Sequence, residues 1–201
     1  PSCAEPYDAQ CICGEGACVT SEVGGPAWQA RYPDLTGKVA VVSGSGDVVA
    51  AVAGAFAANG TAVAVVSASK ETVNAAVAAA ERHGVAVFGV TAEPADHGSW
   101  ERVRPHAEQR LGPIDIVVAI GVVTTRHAVV AAMSPDMGAR HRGVVIEVGE
   151  SGDLLALPDD VRHRLVKTIG AVRAVDVAAA VAFYASDVIA IPVAAVELGA
   201  S

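Results

Sequence analysis

The sequence has no excess of positive charge, no long apolar run and no cysteine after residue 18, and each absence narrows what the chain can be. Lys plus Arg number 14 against 22 for Asp plus Glu, a formal charge of −8, so a face built to neutralise nucleic-acid phosphates is missing. Apolar stretches are broken by glycine or polar residues well before the roughly 20 needed to span a bilayer, and no charged start with a following apolar segment marks a signal peptide. The expectation is a soluble, cytoplasmic protein whose partner is a small-molecule substrate, with no nucleic acid and no membrane. What is abundant is apolar: 52% of 201 residues, enough for one domain with a sizeable core.

Residues 1–36 hold all four cysteines among several Gly and Pro, and read as an irregular Cys-rich N-terminal extension. Residues 37–201 read as a shortened Rossmann-like domain. KVAVV is an apolar run of strand length ending in a glycine turn, and an Ala-rich helix follows as far as Asn59-Gly60. TAVAVV is a second strand, Ser69 caps a helix, Gly84 stops it, and VAVFGV is a third strand. Ser99 caps a helix running to Gly112, and IDIVVAIG is a fourth strand. A short helix is expected near residues 128–133, a strand over 143–148, helices over 159–168 and 175–185, and a last strand over 191–198. Apolar strands alternating with helices predict an α/β fold with a doubly wound parallel sheet.

The first turn, Gly44-Ser45-Gly46-Asp47-Val48-Val49, is where such a fold receives a pyrophosphate on backbone N–H groups. Val49 stands at the third glycine position, and Asp47 puts a carboxylate where the phosphates would lie. No acid follows the second strand. Ser67, Ser69 and Lys70 there suit a 2′-phosphate, so a nucleotide, if bound, would be NADP held by Gly44, Gly46, Ser67 and Lys70.

LTGKVAVVSG, GPIDIVVAIG and VDVAAAVAFYASD together resemble the opening strand and turn, the fourth strand and the late helix of the short-chain dehydrogenase/reductase family, over about Leu35 to Leu198. That resemblance implies a nicotinamide cofactor and a catalytic Tyr with a Lys one helical turn on. The pair is absent, because Tyr7, Tyr32 and Tyr184 are followed four residues later by Cys11, Thr36 and Val188. About 50 residues of a typical domain of this class are missing between Gly121 and Leu157. They would include the helices of the family's usual assembly, so any homo-oligomer is expected to use a non-canonical interface.

The remaining chemistry-bearing residues fall into two groups. Cys3, Cys11, Cys13 and Cys18 lack a C-x2-C knuckle and could be metal ligands, disulfides or free thiols. His127 follows strand four, and Glu147 and Ser151 lie at or after the strand over 143–148, all on the ligand side of such a sheet. These three are the candidate catalytic residues, and burial would raise the pKa of Glu147. Arg140, His141 and Arg142 could hold an anionic substrate, whereas His106 and His163 read as solvated positions on helices. The expectation is an enzyme of lyase, isomerase or cyclase type, needing no cofactor, that performs a non-redox step on a small organic or natural-product intermediate. An NADP-dependent oxidoreductase and a non-catalytic binding protein stay open as alternatives.

Overall fold

The structure, a computed structural model, describes residues 32–140, 142–150, 157, 161–169, 172–186 and 195–199. Among the described residues seven strands, β1 (Val39–Ser43), β2 (Ala62–Ser67), β3 (Val87–Thr91), β4 (Ile116–Ile120), β5 (Gly143–Gly149), β6 (Val161–Ile169) and β7 (Ala195–Gly199), form one sheet in the order β3-β2-β1-β4-β5-β6-β7. Every pairing is parallel. Strands so apolar, buried on both faces, need helices on each side. Helices α1 (Asp47–Ala58), α2 (Lys70–Glu81) and α5 (Ala174–Ala185) cover one face, and α3 (His97–Leu111) and α4 (Val123–Ala139) the other. The doubly wound α/β fold expected from the sequence is what the chain adopts.

Local signals explain most boundaries. Ser69 accepts a hydrogen bond from the Thr72 N–H at 3.2 Å and caps α2 as expected. Helix α3 starts earlier than expected, because Asp96 rather than Ser99 is its cap, accepting from the Gly98 and Ser99 N–H groups; Pro105 is carried inside the helix. Helix α4 is longer than residues 128–133, running through Pro135 to Ala139. Leu35 is fully buried and the Thr61 hydroxyl donates to its carbonyl, so the packed unit takes in residues ahead of position 37.

One element is of a different kind. The helix expected over 159–168 is strand β6, pairing with β5 from Gly143↔Val161 to Gly149↔Lys167. Its charged residues suggested a solvated face, yet each of the first two has a protein partner. Arg162 donates to the carbonyls of Ser186 (2.9 Å) and Ala185 (3.3 Å), capping the end of α5, and His163 meets Glu147. Residues 150–160 join the parallel pair β5 and β6, about the shortest span such a crossover allows. Leu157 packs on the α3/α4 side.

Candidate functional site

β1 and β4 are neighbours whose following helices, α1 and α4, lie on opposite faces, so the loops at their carboxyl ends diverge and leave a crevice. A cavity of about 650 Å³ sits there. Its wall is built from Val48 on α1, Ile120 at the end of β4, Val148 on β5 and Val177 on α5, with Arg126 and Glu150 among its few charged groups. That size and lining are those of a small-molecule site.

Behind one wall lies a buried ionic cluster. Glu147, near the carboxyl end of β5, is fully buried on the α3/α4 face. Arg126, in the first turns of α4, is 1% exposed and donates from Nε to Glu147 Oε2 at 2.9 Å and from Nη1 to the Gly121 carbonyl at 2.7 Å. His163 Nε2 lies 2.8 Å from Glu147 Oε1, and His127 Nε2 lies 3.9 Å from Oε2 with its side chain 30% exposed. Burial pushes the Glu147 carboxyl toward higher pKa, but hydrogen bonds from His163 and Arg126 and their charges outweigh it, so its pKa is lowered. The expectation of a raised pKa is therefore corrected. An ionised carboxylate only accepts, so His163 presents Nε2–H to it.

Gly149 completes the arrangement. A Cβ there would strike the Arg126 guanidinium and come within 2.6 Å of the Gly121 carbonyl oxygen, so only glycine lets α4 and the end of β4 close over β5.

The phosphate turn answers less well to a dinucleotide. Gly44 is needed because a Cβ would lie 2.7 Å from both Ile120 Cβ and Ile120 O, and Gly46 because its φ is +81°, with nothing within 4 Å of a Cβ there. Gly44 is thus required by packing and Gly46 by backbone conformation. Asp47 is exposed as the first residue of α1, where its charge already complements the helix dipole, and Val49 is fully buried in the core. Ser67 is buried, its hydroxyl accepting from the Ser69 N–H at 3.2 Å, whereas Lys70 is exposed. The residues present do not fit a pyrophosphate at this turn.

Of the catalytic candidates, the structure brings Glu147 and His127 together and sets neither among the residues that line the cavity; Ser151 lies outside the described residues. So do Cys3, Cys11, Cys13 and Cys18, and among the described residues no cluster of His, Cys, Asp or Glu could hold a metal ion. Of the basic run, Arg140 and Arg142 lie away from the crevice, and His141 lies outside the described residues. Arg140 donates to the Ile114 carbonyl and Arg142 to Asp115 at 2.6 Å, both at the amino end of β4, the opposite edge of the sheet. His163, expected on a solvated helix, is the residue missed. Its alternation with Val161 and Leu165, both buried, was the signal for a strand with 163 facing inward. His106 is exposed on α3 as expected.

A seven-stranded parallel sheet with a crevice between β1 and β4 defines a doubly wound, dinucleotide-binding type of fold. Residues 38–129 match the family model for short chain dehydrogenase, which bears out the resemblance read from the sequence. Among solved structures, a metagenomic short-chain oxidoreductase in complex with NADP is similar at 18% identity and TM-score 0.71, covering 84% of this chain and 99% of that one. A Serratia marcescens short-chain dehydrogenase/reductase, a double phenylalanine-to-tyrosine mutant, is similar at 20% identity and TM-score 0.67, over 83% and 98%. NAD+-bound xylitol dehydrogenase is similar at 19% identity and TM-score 0.52, over 58% and 54%. No curated protein matches by sequence. At these identities the likeness to solved structures establishes the fold, and the site must speak for the chemistry. No helix among the described residues is long and apolar enough to cross a membrane.

Proposed function

We propose that the chain is an enzyme that moves a proton rather than a hydride, carrying out a cyclisation, dehydration or rearrangement of a small organic or natural-product intermediate held in the crevice. The observation that carries this reading is Glu147, a buried carboxylate that fixes Arg126 at the cavity wall and has the half-buried His127 within 3.9 Å. In this scheme Arg126 hydrogen-bonds an oxygen of the substrate. His127, one residue on from Arg126 and outside the cavity lining, takes a proton from a substrate atom that reaches beyond the wall and returns it to another. Glu147 positions both side chains and meets no substrate itself. Nothing is oxidised or reduced, so no co-reactant is consumed. The absence of any Tyr-x-x-x-Lys from the sequence and the carboxylate of Asp47 at the phosphate turn favour this reading over nicotinamide chemistry.

The test is calorimetric titration of the full chain with NADPH and with NADH. No saturable heat is expected up to about 1 mM, a binding energy of only about 4 kcal/mol. A dissociation constant in the micromolar range overturns the reading. It would favour the second one, an NADP-dependent oxidoreductase with replaced catalytic groups, for which the exposed Lys70 at the start of α2, shortly after β2, is the supporting observation.

A further inference from the structure

Among the described residues the sheet ends at β3, which pairs with β2 alone. The Val63 N–H donates to the Ala86 carbonyl at 3.0 Å, and the Ala92 N–H donates to the Ser67 carbonyl at 2.9 Å. Backbone groups along a strand turn to its two neighbours alternately, so the even-numbered residues here are bonded to β2. Val87, Gly89 and Thr91 therefore turn their N–H and C=O groups away from the sheet. Gly89 and Thr91 are exposed and Val87 is half-buried. Folded proteins blunt such an edge with a charge, a proline, a bulge or a covering element. From Gly84 to Ala92 the sequence has no charged residue and no proline. The register with β2 runs unbroken from Val63↔Val87 to Ser67↔Thr91, so there is no bulge either.

Charge gathers instead just beyond the two ends of the strand. Arg82 and His83 precede it, after Glu81 has closed α2, and Glu93 and Asp96 follow it, ahead of His97 at the start of α3; all six are exposed. Asp96 is committed to capping α3, whereas Glu93 accepts only from the Ala95 N–H, at 3.2 Å. From the uncovered edge and the charges at its ends, we propose that β3 pairs antiparallel with β3 of a second copy of this chain, joining the two sheets across a two-fold axis. Antiparallel pairing about the middle of the strand gives the outward N–H and C=O groups of each copy partners on the other. It also sets Arg82 and His83 of one copy beside Glu93 of the other, twice over by symmetry. A parallel arrangement would set like ends side by side, and an unrelated extended peptide has no reason to match both ends. The two-fold pairing uses up this edge in both copies, so assembly through it stops at a dimer. The crevice takes no part, and the proposal stands apart from the chemistry read there.

Sedimentation velocity of the full chain in reducing buffer tests it, the reductant keeping the four N-terminal cysteines from linking copies. A reversible monomer–dimer equilibrium is expected, with a dissociation constant of about 10 μM, as suits a small interface made largely of backbone. Thr91→Pro removes an outward N–H and leaves the Ala92–Ser67 bond of the β2 ladder in place. It is expected to raise the dissociation constant about tenfold or more with Tm unchanged. Arg82→Glu and Glu93→Arg are each expected to weaken the dimer about fivefold, and the two together to restore it, because each changes only the sign of an exposed charge. The charge exchange decides by itself if Thr91→Pro lowers Tm. A chain that stays monomeric up to about 500 μM, about fifty times the expected constant, overturns the proposal. So does a dimer that a well-folded Thr91→Pro leaves unchanged, or a double charge exchange that associates no better than the single ones.

Discussion

The two halves of the sheet handle charge in opposite ways. In the half built from β1, β2 and β3, the conspicuous charged groups are on the surface. Asp47 and Lys70 are exposed in the first turns of their helices, and Ser67 and Ser69 hydrogen-bond the local backbone. In the half built from β4, β5 and β6, charge is buried: Arg126, Glu147 and His163 have almost no solvent and satisfy one another. The first half keeps the family's outline while its conspicuous residues serve caps and turns. The second has the shorter crossover, residues 150–160, and spends its buried polar groups on a cluster beside the cavity. A motif can therefore persist as architecture while the buried charges of the same sheet gather elsewhere.

The sharpest way to break this contrast is to remove one member of the buried pair. Arg126→Met or Glu147→Leu alone is expected to cost about 3–5 kcal/mol in urea unfolding, because the survivor is left as an unpaired buried charge. The double replacement should cost clearly less than the sum of the two, and additivity would show that the pair is not coupled. Next come the glycines of the turn. Gly44→Ala is expected to cost about 2–3 kcal/mol, since the new methyl meets Ile120 Cβ and backbone oxygen at 2.7 Å. Gly46→Ala has open space around it and only a left-handed φ to contend with, a cost of about 1 kcal/mol. Equal costs at the two positions would contradict the packing reason given for Gly44.

The acid limb of stability separates the halves a third way. Glu147 has a lowered folded-state pKa, so the folded protein binds fewer protons than the unfolded chain. Its contribution is fully present above the unfolded carboxyl value of about 4.3 and is lost as pH falls through the lower folded one. Urea midpoints measured downward from about pH 5 should therefore fall less steeply in Glu147→Gln than in the parent. Ser69→Ala, in the other half, should be the mildest change, about 1 kcal/mol from the lost cap of α2, with no change in the pH dependence.

How much of this was legible depends on which residues are considered. Strands β1, β2, β4 and β5 and helices α1, α2 and α5 announced themselves by apolar runs, a Ser cap and glycine stops, signals that lie within a few residues of where they act. The site was half legible. His127 and Glu147 could be placed at the carboxyl edge from strand order alone, and they meet at 3.9 Å. His163 could not be placed, because VRHRLVKTI has the charge of a solvated helix, and only pairing with β5 makes it a strand that turns 163 inward. Arg126 was visible as a neighbour of His127, but nothing near it in sequence reveals that its partner is a carboxylate on another strand.

By itself the sequence determined the class of fold and the side of the sheet where ligands would lie, because hydrophobic periodicity and turn chemistry are local properties. It also determined that the Tyr and Lys of the resembled family are not there. Only the tertiary structure decided that the Glu147 pKa is lowered rather than raised, that Arg126 rather than Glu147 borders the cavity, and that the two glycines of the turn answer to packing and backbone conformation. Each of those outcomes depends on groups far apart in the chain whose charges and van der Waals surfaces meet only after the sheet has formed.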